Sequence, residues 1–322
     1  MIWERAVAEN AWELDSGLYR ILLPLPFAVP FVNVYLVASR GKFVLIDAGG
    51  DWLPSLRALG RALKAIGVPP RGLTGLVLTH QHPDHGGGAP AIHEHWGGRV
   101  FLHPAENTER AVTAEEVAAW MGENGADDAS ITRATAARER PPLTTLPVED
   151  LDESQALIVG DLRFEVILVA GHSPGQVMLR EPNRGWLFTA DHLIQVHGVN
   201  VWAFPTTPGD PFGEYLDNLD RSFNLDANLI LPGHGLPWRG NVKATTRDLI
   251  DFHQDFLARV VSVVRAQPRS GWEITRTLRT AIPTDPIGIR FSLAEVLGAL
   301  VHLERIGRAR RGKDGRWSAI EA

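Results

Sequence analysis

The sequence predicts an α/β protein with two sheets and helices on the outside, from three observations. Short apolar runs bounded by glycine and proline, such as Val166 to Ala170 and Leu229 to Leu231, have the length and composition of buried strands. Between them lie segments whose apolar residues recur at helical spacing. Several of the apolar runs end in a histidine or an aspartate, which places polar groups just past the last strand position.

From the N-terminus, Asn33 to Val37 and Phe43 to Ile46 are expected to be neighbouring antiparallel strands joined at Arg40-Gly41. Pro54 to Ile66 reads as a helix with Leu56, Leu59, Leu63 and Ile66 on one face. Leu73 to Thr79 is the next strand, and Ala89 to Trp96 a short helix beyond a glycine run. From Glu106 to Val148 the chain turns alanine-rich and charged, Ala111 to Gly122 reads as helix, and Arg140-Pro141-Pro142 closes the excursion. An insertion over about 106–148 is expected to cover the ends of the strands. Its Trp120 and Met121 either pack on the body as the apolar face of one helix or line a pocket.

Phe164 to Val169, Val177 to Leu179 and Trp186 to Thr189 form a second group of strands. Val199 to Phe204 is an apolar loop whose Trp202 and Phe204 are candidates for the wall of a substrate pocket. Tyr215 is a further pocket candidate, either offering its phenol or packing on a helix with Leu216 and Leu219. Near the C-terminus, Ser292 and Glu295 have the spacing of a capping box at a helix start, followed by Leu293, Val296, Leu297, Leu300 and Leu303 at helical spacing. Gly307 then precedes two short strand-like pieces, Arg308 to Arg311 and Arg316 to Ile320, about the turn Lys313-Asp314-Gly315.

The stretch Thr79-His80-Gln81-His82-Pro83-Asp84-His85-Gly86 packs three imidazoles and one carboxylate into six residues directly after Leu76-Val77-Leu78. A single His-x-His on a surface loop is usually a solvated pair. Here His172, Asp191 and His234 each end a further strand-like run, and strand ends lie side by side about 4.8 Å apart along one edge of a sheet. Neutral imidazoles and carboxylates are the donor mixture that holds first-row divalent metals. Seven such donors exceed the needs of one tetrahedral ion and suit two, with one carboxylate shared.

The order His80-x-His82-x-Asp84-His85, then Gly171-His172-Ser173-Pro174-Gly175, then Ala190-Asp191, then Pro232-Gly233-His234-Gly235 resembles the metallo-β-lactamase-fold hydrolase superfamily, over roughly residues 20 to 240. The resemblance implies a four-layer αββα sandwich. It implies that His80, His82 and His172 hold one zinc, that Asp84, His85 and His234 hold the second, and that Asp191 bridges both. It also implies that Asp47 orients metal-bound histidines from behind; the alternative is that aspartate before Ala48-Gly49-Gly50 merely caps the next helix. Manganese or iron would suit the same donors. The tail resembles the small winged-helix domain of the branch that includes the β-lactamase-like protein 2 group, which implies a catalytic domain over 1–244 and a winged-helix-like domain over 245–322. Lactonases of the superfamily carry a tyrosine three residues after the bridging aspartate, where this chain has Ile194.

The remaining composition narrows the function. The chain has 322 residues, 44% of them hydrophobic, enough for one large core and a small second domain. Cysteine is absent, which excludes disulfides and thiolate ligands. Neither a signal-peptide pattern at Met1-Ile2-Trp3-Glu4-Arg5 nor a membrane-length apolar run is evident, so a soluble, cytoplasmic protein is expected. The net charge is −6, but it is uneven: residues 245–322 carry 13 Lys and Arg against 9 Asp and Glu, while residues 1–244 carry 19 against 29. The acidic larger part argues against a general nucleic-acid surface, and the cationic hairpin at Arg308, Arg310, Arg311, Lys313 and Arg316 leaves a metal-dependent ribonuclease as the first competing function.

The expected reaction is hydrolysis of a carboxylic ester, thioester or lactone of moderate size, with a metal-generated hydroxide as nucleophile steadied by Asp84. A non-enzymatic metal-binding module is the second alternative, and an oligomer is compatible with the sequence. Among the other histidines, His192 and His197 stand nearest Asp191 and are candidates to touch substrate, whereas His93, His95, His103, His253 and His302 lack ligand partners at usable spacing.

Overall fold

The structure, a computed structural model, describes residues 5–26, 29–108, 112–136, 146–195 and 198–320. One sheet begins as an antiparallel meander, β1 (Arg5–Ala8), β2 (Ala11–Asp15), β3 (Leu18–Pro24), β4 (Phe31–Ser39) and β5 (Lys42–Ile46). It continues in parallel through β6 (Gly75–Val77), β7 (Arg99–Leu102) and β8 (Val148–Asp150). Parallel neighbours need crossovers, and α1 (Leu53–Ile66) and α2 (Ala89–Trp96) supply the first two. The excursion between β7 and β8 holds a 3-10 turn (Pro104–Thr108), α3 (Ala114–Glu123) and α4 (Asp128–Thr135). Thr113 and Glu116 form the capping box that starts α3, so the helix begins later than the expected Ala111, which lies outside the described residues together with Arg140-Pro141-Pro142.

The other sheet contains β9 (Ala156–Val159), β10 (Leu162–Leu168), β11 (Val177–Glu181), β12 (Trp186–Ala190) and β13 (Leu229–Pro232), in the spatial order β13-β12-β11-β10-β9. Only the β12–β13 pair is parallel, and α5 (Pro211–Ser222) lies in its crossover. The two sheets pack face to face through Tyr35, Val37, Val44, Ile46 and Val77 on one side and Phe164, Phe188, Trp186, Leu229 and Leu231 on the other. Alternation along each strand puts the intervening residues on the outer faces. Val34, Leu36, Leu45 and Leu76 therefore meet Leu59 and Leu63 of α1 and Ile92 of α2. Leu187 and Ile230 meet the helices beyond the second sheet. Burial on both faces is why the central strands read as continuous apolar runs, and the result is four layers, helix, sheet, sheet, helix.

The C-terminal part comprises α6 (Val242–Ala266), α7 (Gly271–Leu278), α8 (Pro286–Arg305) and the hairpin β14 (Ala309–Arg311) and β15 (Trp317–Ala319). An isolated bridge between Arg269 and Trp317 ties the start of α7 to the hairpin. The expected capping box at Ser292 and Glu295 is not the start of α8. Asp285 caps that helix by accepting from the Gly288 N–H at 2.7 Å, Pro286 follows at its first position, and Ser292 lies inside, donating its hydroxyl to the Gly288 carbonyl at 2.7 Å. The pattern misleads because Ile287, Ile289 and Phe291 continue the helix N-terminally without changing its apolar character. Among the described residues α8 is the single helix long and apolar enough to cross a membrane, and its Leu293, Val296, Leu300 and Leu303 are buried in the protein interior. One core cluster runs from Leu187 and Ile230 through Tyr215 and Leu257 to Leu293, Leu300 and Trp317.

Candidate metal centre

Five strands end at the same edge of the sandwich, and each delivers one or more of the polar residues singled out by the sequence. β5 ends into Asp47, β6 into Thr79 and His80, β10 into the turn carrying His172, β12 into Asp191 and β13 into His234. Three sets of side chains converge there with their donor atoms all within 4.8 Å of one another: His80 with His82 and His172, His80 with His85 and Asp191, and Asp84 with His85 and His234. All seven expected ligand positions are thus brought together.

The spacing of these atoms is at or beyond the long end of an N–H···O hydrogen bond. His85 Nε2 lies 3.3 Å from Asp191 Oδ1, His234 Nε2 lies 3.2 Å from Asp84 Oδ2 and 3.5 Å from Asp191 Oδ2, and His172 Nε2 lies 3.6 Å from Asp191 Oδ2. Two donors bound at about 2.0–2.1 Å to one tetrahedral ion stand about 3.3–3.4 Å apart, so these separations match shared coordination. The Nε2 atoms of His80, His85 and His172 and Oδ1 of Asp191 are buried and make no hydrogen bond. Leaving a buried polar atom unsatisfied costs about 1–3 kcal/mol, and a group of them facing one point is the signature of a missing common partner. Nitrogen and oxygen donors without thiolate suit zinc, manganese or iron.

The opposite ring nitrogens of His80, His85, His172 and His234 are engaged. His85 Nδ1 donates to Asp47 Oδ2 at 2.8 Å, His172 Nδ1 to the Asn200 carbonyl at 2.8 Å, and His234 Nδ1 to the Phe31 carbonyl at 2.8 Å, while His80 Nδ1 meets Thr79 Oγ1 at 3.1 Å. Such partners fix ring orientation and leave the Nε2 lone pair for a ligand. Asp47 also accepts from the Thr79 N–H at 2.8 Å and from its hydroxyl, and it caps no helix. Its backbone sits at φ 64°, and Ala190, just before Asp191, at φ 47°. Non-glycine residues in that region cost about 1–3 kcal/mol each and cluster where a site over-determines the backbone.

Electrostatics divide the centre in two. Burial pushes His80 and His82 well down, His82 to about 3, and lowers His172, so these rings stay neutral and keep a free lone pair. On the other side burial would lower His85 and His234, but the carboxylates, Asp191 foremost, overcome it, raising His85 strongly and His234 to about 10. Burial would likewise raise Asp84 and Asp191, yet His85 and His234 hold Asp84 at about 2 and pull Asp191 well below its ordinary value. The carboxylate-rich half therefore demands positive charge, from protons or from a cation.

Around the centre stands an aromatic wall. The Trp202 ring lies 5.4 Å from His82 and 5.2 Å from His172, stacks on Phe291 of α8 at 4.4 Å with an 11° interplanar angle, and neighbours Phe204 at 6.3 Å. Phe291 was not among the sequence candidates, since a lone aromatic on a helix carries no signal of what it faces. Trp120 and Met121 are buried, with Trp120 5.9 Å from Phe204, so they pack against the body and back the wall. Of the two readings of Tyr215, the pocket phenol is set aside and packing on the helix holds: it is fully buried and donates its hydroxyl to the His192 carbonyl at 2.9 Å, because α5 turns that face into the core. His192 is also buried, bonded to Ser222 Oγ at 2.9 Å and pushed to about 3 by burial, and His197 lies outside the described residues.

The sequence also left unmarked the clamp on the His234 turn. Asn33 donates to the carbonyls of Pro232 and Gly235, both at 2.9 Å, and accepts from buried Arg20 at 2.9 Å, while Tyr35 donates to the Pro232 carbonyl at 2.8 Å. A lone amide inside the apolar run Phe31 to Val37 was the available signal.

Comparison with known proteins agrees with this geometry. A family model described as the metallo-beta-lactamase superfamily matches residues 28–234. The chain is 26% identical over 299 residues to the probable metallo-hydrolase YqjP of Bacillus subtilis, covering 88% of this chain and 91% of that protein. It is 30% identical over 236 residues to the acyl-coenzyme A thioesterase MBLAC2 of Gallus gallus, covering 69% of this chain and 78% of that one. Among solved structures, a metallo-beta-lactamase family protein from Thermus thermophilus superposes with a TM-score of 0.82 at 27% identity, over 96% of this chain and 100% of its own. The chain belongs to the metallo-beta-lactamase superfamily, and with it to the metal-dependent hydrolases.

Proposed function

We propose that the chain is a binuclear zinc hydrolase that cleaves a carboxylic ester, thioester or lactone of moderate size. In this reading His80, His82 and His172 hold one ion, Asp84, His85 and His234 hold the other, and Asp191 serves both. The observation that carries it is the group of buried donor atoms without hydrogen-bond partners, three imidazole nitrogens and one carboxylate oxygen, at ligand-to-ligand spacing. When bound, the ions supply Lewis acidity that polarises the scissile carbonyl and lets water attack near neutral pH.

The chain's own residues do the rest. Asp47 and the carbonyls of Asn200 and Phe31 hold three imidazoles in one tautomer and orientation. Asp84 is the more open carboxylate, its side chain 21% exposed against 10% for Asp191, which suits it to accept a hydrogen bond from the attacking water. Water adds to the acyl carbon, the acyl–oxygen or acyl–sulfur bond breaks, and the products are the acid and the alcohol or thiol, which takes the second proton of the water.

An apolar acyl group is favoured by Trp202, Phe204 and Phe291, which line one side of the centre. The acyl-coenzyme A thioesterase of Gallus gallus, a relative at 30% identity, supports the thioester among the candidate bonds. The succession of α6, the bridged residue Arg269, α7, α8 and the hairpin supports reading 245–322 as a winged-helix-like unit, with Phe291 stacked on Trp202 beside the centre. RNA is disfavoured because two of the five hairpin cations, Arg311 and Arg316, are engaged within the protein. Arg316 makes two hydrogen bonds to Glu273, at 2.8 and 3.0 Å, and Arg311 donates to the Glu123 carbonyl at 3.0 Å.

The test is metal analysis of the purified protein beside a panel of esters, thioesters, lactones, β-lactams and phosphodiesters. Two metals per chain with turnover of carbonyl substrates is expected. Turnover of RNA alone, falling steeply with salt, would replace this reading with the nuclease. Asp191→Ala is expected to abolish hydrolysis and to lower metal content, and a variant retaining two metals at full rate would refute the ligand set.

A further inference from the structure

Glu106 is a fully buried carboxylate that the chemistry above does not use. It sits in the 3-10 turn that opens the excursion after β7, and both of its oxygens are committed to backbone N–H groups of different loops. Oε2 accepts from Gln81 N at 2.8 Å, and Oε1 accepts from Gly175 N at 2.6 Å. Gln81 is the residue between His80 and His82, and Gly175 closes the turn that carries His172. One carboxylate thus joins the two loops whose histidines make up the neutral, three-imidazole half of the centre.

We infer that Glu106 is a positioning residue for the metal centre, setting the separation between the His80/His82 loop and the His172 loop. Charge-assisted hydrogen bonds to N–H groups are short and about twice as strong as neutral ones, and a buried carboxylate that lost either partner would be left desolvated. The arrangement is therefore stiff in the direction that separates the loops. The packing at the far end agrees. A Cβ on Gly175 would lie 2.8 Å from His103 Nδ1, 2.9 Å from Glu106 N and 3.0 Å from Glu106 Cγ, so the close approach of this turn to Glu106 has room for glycine alone. His103 is itself held by the Ala105 N–H, which donates to its Nδ1 at 3.2 Å. In sequence the residue is separated from His172 by 66 positions, and nothing in the local pattern marks it.

The inference rests on the ligand set proposed above, and its test separates the two. Zn2+ affinity is measured by competition with a chelating dye, and Co2+ is bound in parallel so that its visible spectrum reports ligand geometry. Glu106→Gln keeps the shape but turns an amide NH2 toward one of the two N–H donors, and Gly175→Ala pushes the turn away while leaving Glu106 intact. For both variants we expect zinc affinity about tenfold or more below that of the unaltered protein, the range found for groups that orient ligands from behind. A changed cobalt spectrum should accompany the loss, and kcat should fall with KM nearly constant. Unchanged metal affinity and cobalt spectrum in a folded Glu106→Gln protein, with only its melting temperature lowered, would make Glu106 a structural residue and overturn the inference alone. An unaltered protein that binds neither metal would overturn the ligand set and the inference together.

Discussion

At the scale of single residues, the centre is built by close approach as much as by ligand chemistry. Gly233 shows why: a Cβ there would stand 2.4 Å from Asp191 Oδ1 and 2.7 Å from His85 Cε1, so the chain passes directly behind two of the proposed ligands. Gly233→Ala is expected to shift both side chains and to lower metal affinity about 10–100-fold, as found for other groups that support metal ligands. Metal retained after dialysis against a weak chelator measures this, and full retention would show that the turn can relax without cost to the site. The ligand residues themselves were legible in the sequence because histidine and aspartate at strand ends are dense and chemically distinctive. Asn33, Arg20 and Glu106 were not, because each acts on atoms that lie far away along the chain or across the sheet.

At the scale of elements, α8 links the C-terminal part to the aromatic wall of the centre. The Ala203 N–H donates to the Ala294 carbonyl at 3.0 Å, which lays the Trp202 loop along the helix and lets Phe291 stack on Trp202. Asp210, the cap of α5, accepts from His302 Nδ1 at 2.9 Å and ties α5 to the same helix. An aromatic pair of this kind contributes about 0.5–1.5 kcal/mol beyond simple burial. Phe291→Ala is therefore expected to lower kcat/KM for long or aromatic acyl substrates about tenfold while acetyl substrates change little. Equal losses across a series of acyl lengths would show that the wall does not touch the acyl group. Most elements follow from local periodicity, and α2 and β12 fall within a residue of their expected bounds. The start of α8 does not, because a serine followed three positions later by a glutamate on an already helical segment mimics a cap.

At the scale of the whole molecule, one core cluster joins the second sheet to the C-terminal helices, so a perturbation in α6 is felt globally. His253 of α6 is buried beside Tyr215 at 5.0 Å and Phe212 at 5.3 Å, and burial depresses its pKa to about 4. The folded chain keeps this ring neutral, while the unfolded chain protonates it near its ordinary value of 6.5. Its stabilising effect is full above pH 6.5 and declines as the pH falls toward 4, a total of about 3 kcal/mol at 1.4 kcal/mol per unit. Between pH 7 and pH 5 the unaltered protein should lose about 2 kcal/mol from this group, and His253→Leu should remove that part of the slope. Urea denaturation of both proteins at the two pH values measures it, and parallel slopes would show that the ring gains a proton in the folded state.

By itself the sequence determined the layer pattern and the composition of the centre, because strand alternation, helical periodicity and metal-donor chemistry are all local properties of the chain. The tertiary structure alone decided that Phe291 stacks on Trp202, that Asn33 clamps the His234 turn, and that Glu106 joins the loops carrying His80, His82 and His172. Those outcomes depend on how sheets and helices pack across large sequence separations, and no local pattern encodes which residues that packing brings into contact.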